Sequence, residues 1–149
     1  MADVAQKAGL SRQAVYLHFP DRAGLLSALL TRTGAEQAPH GMDGAPSARA
    51  ALTAQVVRLA ETYPRIWPVV RALGGELADA GLHAGCRTLA ERFRSEGALA
   101  HHLSPSAATD LLATLLSLAV WKELVIGRGW DSARYKSHIA FLAAGALTR

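Results

Sequence analysis

Residues 4–30 (VAQKAGLSRQAVYLHFPDRAGLLSALL) constrain the fold more than any other part of the chain. A short helical pattern stops at Gly9, whose missing Cβ permits the backbone conformation of a tight turn. Ser11 then has a side chain that can cap a following helix. In that second helix Val15 and Phe19 share one face at i, i+4 spacing, so its polar side chains face outward. A helix, a glycine-containing turn and a second helix with a polar start predict a helix-turn-helix.

The residue pattern in this stretch is more specific than a bare helix-turn-helix. It reads A-x-x-A-G-L-S-x-x-x-V-Y-x-H-F-x-x-[KR]-x-x-L-L, with its positions held by Ala5, Ala8, Gly9, Leu10, Ser11, Val15, Tyr16, His18, Phe19, Arg22, Leu25 and Leu26. This pattern resembles the tetracycline-repressor (TetR) family of one-component transcriptional regulators. The Tyr-x-His-Phe ending followed by a basic residue is its most specific part. The resemblance implies that a helical ligand-binding and dimerisation domain follows.

The side chains of the second helix suit contacts with DNA. Arg12 and Gln13 can form paired hydrogen bonds to the edges of guanine and adenine, although exposure without function is the alternative for both. The resemblance implies phosphate contacts for Tyr16, His18 and Arg22. A leucine at the outer face can touch a thymine methyl group, and the capping serine can also contact phosphate. The predicted DNA-contacting set is Ser11, Arg12, Gln13, Tyr16, Leu17, His18 and Arg22.

The position of Met1 relative to the family pattern gives a further expectation. Family members carry another helix and a basic arm ahead of this point, so the resemblance implies an N-terminally truncated DNA-binding domain. A start at an internal methionine, a truncation and a natural fragment are three open explanations. Because the missing helix would cover Val15 and Phe19, we expect a chain that starts at Met1 to bind DNA weakly.

Composition predicts an all-α protein. The chain has 149 residues, enough for one sizeable core with an appended module, and 50% of them are hydrophobic and 19% charged. Runs of β-branched residues are absent from the sequence. The formal net charge of +4 permits a polyanionic partner, but residues 1–36 contain four basic and three acidic side chains, a net of only +1. The motif, and not the charge, therefore indicates DNA.

Several other functional classes find little support in the sequence. The single cysteine, Cys86, excludes an internal disulfide and predicts a reducing, cytoplasmic location. The most apolar stretch, residues 111–121, is too short to span a membrane. His83 and Cys86 have the i, i+3 spacing of two metal ligands, but no second cysteine or carboxylate cluster completes a site. Since no catalytic constellation is recognisable either, we predict a non-enzyme without metal or other cofactor.

Prolines, glycines and capping residues divide the chain. Pro20 ends the second helix, and Asp21 caps a helix that runs to about residue 35. The resemblance implies that this helix links the DNA-binding domain to the rest of the chain. A loop over residues 37–46 then separates a DNA-binding domain, residues 1–36, from a helical domain, residues 47–149. In the second domain we predict helices at about residues 48–62, 64–74, 82–95, 105–126 and 132–147. Ser47, Ser104 and Asp131 are the predicted caps of the first, fourth and fifth of these helices.

The last two predicted helices indicate a dimer. Residues 111–121 include only two polar side chains, so a helix here needs cover on every side. The final helix contains small residues that allow another helix to approach closely. Two such helices and their symmetry mates can form a two-fold four-helix bundle, whereas a buried hairpin in a monomer is the alternative. The predicted interface consists of Leu111, Leu115, Leu118, Val125, Tyr135, Ile139 and Leu142.

The middle helices combine aromatic, aliphatic and a few polar residues, as the walls of an apolar ligand pocket do. Aromatic residues at helical spacing more often belong to an ordinary core, and only the resemblance favours a pocket. Its predicted lining is Tyr63, Trp67, Leu77, His83, Leu89, Phe93 and Trp121. We therefore predict a ligand-responsive regulator, a repressor that binds a palindromic operator as a homodimer, with no membrane partner. The alternative is a dimeric small-molecule-binding or interaction protein that no longer binds DNA.

Overall fold

A computed structural model describes residues 5–6, 9, 11–19, 21, 24–25, 28, 44–72 and 80–148. Every regular element within these ranges is helical, which confirms the all-α prediction. None of the helices in the described ranges combines the length and the apolarity that a membrane crossing requires. The helices are α1 (Arg12–His18), α2 (Ala48–Ala72), α3 (Ala80–Ser95), α4 (Pro105–Leu115), α5 (Leu118–Trp121), a π-helical segment (Lys122–Gly127) and α6 (Ser132–Leu147).

The chain divides into two compact units. The first consists of Met1–Glu36 and Pro64–Ala78, and the second consists of Gln37–Tyr63 and Asp79–Arg149. Helix α2 therefore contributes its N-terminal part to the second unit and its C-terminal part to the first.

Three helices begin at the capping residues that the sequence predicts. The side chains of Ser47, Ser104 and Asp131 each accept a hydrogen bond from the backbone N–H three residues further on, at 3.2, 3.1 and 2.7 Å. Each bond satisfies one of the N–H groups that the first helical turn leaves without an internal acceptor. These starts depend on residues at most three positions apart, which explains why the sequence predicts them.

The predicted helix break at Pro64 is wrong. Helix α2 runs for 25 residues with Pro64 and Pro68 inside it. A proline in a helix interior removes one backbone N–H donor and usually bends or ends the helix. Here both prolines are exposed, whereas Ile66 and Val70 are buried. The buried side of the helix therefore stays continuous while the prolines lie on its outer side.

The predicted continuous helix over residues 105–126 is also wrong. Helix α4 ends at Leu115, and the hydroxyl of Ser117 accepts a hydrogen bond from the Val120 N–H at 3.3 Å, which caps α5. The Tyr63 hydroxyl donates to the carbonyl oxygen of Leu116 at 2.5 Å. The Tyr63 side chain thus satisfies a carbonyl group that the end of α4 leaves without a helical N–H donor. Ser117 is therefore the N-cap of α5 and not a residue inside a continuous helix.

In the second unit, α3 runs antiparallel to the N-terminal part of α2. Glu96 near the end of α3 accepts a hydrogen bond from the Ala48 N–H at 2.8 Å, and Gly85 lies beside Gln55. Helix α4 packs against α3 and α6. The core of this unit includes the buried side chains of Leu52, Val56, Leu89, Phe93, Leu112, Leu116, Tyr135, Ile139 and Leu147.

Candidate nucleic-acid interface

The turn before α1 has the geometry that its residues predict. Gly9 has a φ of +65°, a conformation that favours glycine, and its N–H donates to the carbonyl oxygen of Gln6 at 3.2 Å. Ser11 has an extended backbone, and its hydroxyl accepts a hydrogen bond from the Ala14 N–H at 3.1 Å. The predicted N-cap of α1 is therefore confirmed, and the cap fixes where the helix begins.

Helix α1 has a buried and an exposed face. Val15 is buried and Phe19 half-buried, as their i, i+4 spacing predicts. The opposite face, which we call the outer face of α1, consists of Arg12, Gln13, Tyr16 and Leu17, and all four residues are exposed. Leu17 is 84% exposed and Tyr16 50%, so this face presents apolar surface beside its polar groups.

The outer face of α1 is chemically suited to nucleic acid. Its side chains line an open depression on the surface. No carboxylate forms an ion pair with Arg12 within the described ranges, and the first turn of α1 contains no acidic residue. The guanidinium group is therefore available for a base edge or a phosphate oxygen.

The end of α1 positions the remaining predicted contacts. His18 is exposed, and its ring lies 6.5 Å from the ring of Phe19, centroid to centroid. The Asp21 carboxylate accepts a hydrogen bond from the Gly24 N–H at 2.7 Å, as expected for the cap of the linking helix. Arg22 and most of that helix lie outside the described residues. Six of the seven predicted DNA contacts are thus described, and all six are exposed.

The residues predicted to line a ligand pocket lie in several environments. The rings of Tyr63 and Trp121 are 5.9 Å apart, centroid to centroid, and both residues are buried. Leu89 and Phe93 are also buried. His83 is exposed instead, with its Nε2 3.4 Å from a carboxylate oxygen of Asp110 on α4.

The two remaining residues of the predicted pocket do not join this buried group. Trp67 is half-buried and belongs to the first unit, and Leu77 lies outside the described residues. The pocket stays a prediction. Within the described ranges, no group of three or more His, Cys, Asp or Glu side chains could hold a metal ion.

The residues predicted to form a dimer interface differ in exposure. Leu118, Tyr135 and Ile139 are buried within the chain's own core. Leu115 and Val125 are half-buried, whereas Leu111 and Leu142 are exposed. The interface as a whole stays a prediction.

The most exposed apolar side chain of α6 is absent from the predicted interface. Phe141 is 76% exposed, and the neighbouring Leu142 is 50% exposed. His138 and Gly145 are exposed on the same side of the helix, three or four residues away. The spacing of these residues is the sequence signal that identifies this face, which we call the outer face of α6.

Comparison with known proteins bears on the first of these surfaces. Residues 1–29 match the family model described as bacterial regulatory proteins of the tetR family. No curated protein and no solved structure matches the chain significantly. The matched residues include the Gly9 turn, the Ser11 cap and the whole of α1. The similarity to bacterial regulatory proteins of the tetR family thus covers the helix-turn-helix of this chain.

Proposed function

We propose that the protein is a ligand-responsive repressor that binds a palindromic operator as a homodimer. The outer face of α1 is the observation that supports the proposal best. It presents a cation, an amide, a phenol and an aliphatic side chain on one exposed helical surface. These are the groups that contact guanine, adenine and thymine methyl groups in a major groove, and phosphates of the backbone beside it.

The two ends of α1 have different roles in this proposal. Arg12 and Gln13 occupy the first turn, which enters the groove first when a recognition helix docks through its N-terminal residues. Tyr16 lies one turn later, where a phenolic hydroxyl can reach a backbone phosphate. We expect the first pair to set sequence preference and Tyr16 to contribute affinity that does not depend on sequence.

A homodimer supports the same function. A two-fold partner would place a second copy of α1 on the DNA about 34 Å away, one helical turn along the duplex. The outer face of α6 supports this arrangement because it combines large apolar side chains with an exposed glycine that allows a second helix to approach.

Selection from a library of random duplexes, with the protein expressed from its native gene, tests the proposal. We expect enrichment of a palindromic sequence. Arg12→Ala should cost about 1–3 kcal/mol at one base pair per half-site and relax the preference there. Arg65→Ala is the matched control, because Arg65 is exposed on α2 and its replacement removes the same charge.

Two results would contradict the proposal. One is a selected pool without any sequence preference, which would favour the alternative of a small-molecule-binding or interaction protein. The other is an equal effect of Arg12→Ala and Arg65→Ala on every sequence, since this would assign Arg12 only a general electrostatic role.

A further inference from the structure

A buried amide and a half-buried cation form a pair on α2 in the second unit. Gln55 is 3% exposed. Its carbonyl oxygen accepts two hydrogen bonds from Arg58, at 3.2 Å from Nε and 3.1 Å from Nη2. Both residues follow the apolar stripe of α2, where Leu52, Val56 and Leu59 are buried. The chain therefore places a charged group beside its core and uses a buried amide to fix the orientation of that group.

Among the described residues, no opposite charge compensates the positive charge of Arg58. No carboxylate in the described part of the chain forms an ion pair with this guanidinium group. The pKa of Arg58 is lowered, because the effect of burial outweighs the opposite effect of the nearby Tyr63. A cation that loses part of its hydration on folding usually gains an anionic or a strong dipolar partner in return. The Gln55 carbonyl supplies a dipole but no charge.

The surroundings of the pair contain a second donor and room beside it. The amide nitrogen of Gln55 has no hydrogen-bond acceptor among the described residues. A Cβ added at Gly85 on α3 would lie 3.9 Å from this nitrogen, and no other described atom outside the local backbone of α3 would lie within 4 Å. The absence of a side chain at Gly85 thus leaves room for a methyl-sized group in van der Waals contact with the amide.

We propose that Arg58 and Gln55 bind the carboxylate group of a small-molecule ligand, beside Gly85. The carboxylate would accept hydrogen bonds from the remaining guanidinium N–H groups and from the Gln55 amide. Such charge-assisted bonds are stronger than neutral ones, and partial burial strengthens them further. The inference deepens the proposed function, because it assigns the effector to the class of carboxylates. Only the role of the carboxylate as an effector rests on the proposal of a ligand-responsive repressor.

The donor set distinguishes a carboxylate from other anions. One guanidinium group and one neutral amide balance a single negative charge, and the planar fork of arginine matches the two oxygens of a carboxylate. A phosphate monoester would bring almost two negative charges to a place with one cation. We therefore expect the site to prefer a monocarboxylate.

Thermal unfolding in the presence of sodium benzoate and sodium butyrate tests the site. At constant ionic strength, we expect either salt to raise Tm in a saturable manner, because a ligand that binds only the folded state stabilises it. The neutral benzamide should not raise Tm, and inorganic phosphate should act more weakly. Arg58→Gln should weaken benzoate binding by about tenfold or more. Arg87→Gln is the control, since Arg87 is exposed on α3. Equal responses of wild type and Arg58→Gln would overturn the inference.

A second variant keeps the test decisive if Arg58→Gln folds poorly. Gly85→Ala adds a methyl group at ordinary contact distance from the Gln55 amide nitrogen. Alanine also favours a helix interior over glycine, so the unliganded variant should have a higher Tm than wild type. We expect its affinity for benzoate to fall nonetheless, because the methyl group occupies the space next to the amide. Undiminished benzoate binding by Gly85→Ala would contradict the proposed location.

The measurement separates this inference from the proposed function. Benzoate binding is observed without DNA, so a protein that fails to select an operator can still show the Tm shift, and the site then stands. Conversely, a protein that selects a palindromic operator but gives no saturable shift with either carboxylate retains its proposed function and loses the site.

Discussion

Two buried tyrosines of the second unit differ in what their hydroxyl groups contact. The Tyr63 hydroxyl donates to the Leu116 carbonyl oxygen. The Tyr135 hydroxyl is buried and has no hydrogen-bond partner in the described part of the chain. Burial also raises the pKa of Tyr135 to about 12. A buried polar atom that is paired supports the fold, whereas an unpaired one costs desolvation energy without return.

The same substitution at both tyrosines should therefore have opposite consequences. Tyr63→Phe removes the donor and leaves the Leu116 carbonyl unsatisfied, and we expect it to lower the free energy of unfolding by about 1–3 kcal/mol. Tyr135→Phe removes an unpaired hydroxyl and should be neutral or stabilising by up to about 1 kcal/mol. Urea unfolding at neutral pH measures both. An equal loss in the two variants would show that Tyr135 has a partner.

The raised pKa of Tyr135 adds an alkaline control to this comparison. Because the folded pKa of Tyr135 exceeds the unfolded value of about 10, ionisation of its hydroxyl favours the unfolded state. Stability therefore falls as the pH rises from about 10 toward the folded value of about 12. Wild type should thus lose more stability than Tyr135→Phe over this alkaline range.

Gln55 and Arg58 could not be predicted from the sequence as members of a binding site. The outer face of α1 could be predicted because its exposure follows from the spacing of Val15 and Phe19 within one motif. Gln55 and Arg58 are three residues apart on a mostly apolar stripe, and this was the available signal. It is weak, since a polar residue next to such a stripe usually reaches solvent. Only the fold shows that Gln55 is buried.

At the scale of elements, local signals predict helix starts and tertiary contacts decide helix interiors. Ser104 and Asp131 could be identified as caps because their partners lie three residues away. Pro64 failed as a predictor of a helix end because the continuation of α2 depends on burial of its opposite face. The break after α4 could not be predicted either, since Tyr63, which satisfies the Leu116 carbonyl, is 53 residues away in sequence.

One clamp joins the beginning of α2 to the end of α3. The Glu96 carboxylate accepts hydrogen bonds from the Ala48 N–H at 2.8 Å and from Arg92 Nε at 3.0 Å. Arg92 also donates to the Ala45 carbonyl oxygen. The bond from Ala48 and then the bond from Arg92 hold the pKa of Glu96 below its ordinary value. The charged form of Glu96 is therefore the one that the folded protein favours.

This clamp predicts a specific acid dependence. Because the folded pKa is lowered, the contribution of Glu96 is present above its unfolded pKa of about 4.3 and is lost as the pH falls through the folded value. Glu96→Gln should be less stable than wild type at pH 7, and the difference should shrink in the acid range. Glu61→Gln serves as the control, since Glu61 is exposed on α2. A wild-type advantage that persists undiminished at low pH would contradict the ionic role of Glu96.

At the scale of the whole molecule, a test of the dimer needs a residue that is exposed in the single chain and not part of its core. Leu118 belongs to the dimer interface that the sequence predicts, but it is buried within the chain. A charge there would damage the fold whatever the oligomeric state. Phe141 is 76% exposed, so a charge at this position leaves the isolated chain intact and affects only a partner that covers it.

Phe141→Glu should therefore convert a dimer to a folded monomer. Burial of an unpaired carboxylate in the symmetric contact occurs twice per dimer, once for each chain. Sedimentation at micromolar concentration should give a dimer for wild type and a monomer for the variant, with similar Tm once measured at low protein concentration. Leu17→Glu is the matched control, because Leu17 is even more exposed but lies on α1. If wild type is itself a monomer at these concentrations, the two copies of α1 have no fixed spacing, and binding to a palindromic operator as a preformed dimer is excluded.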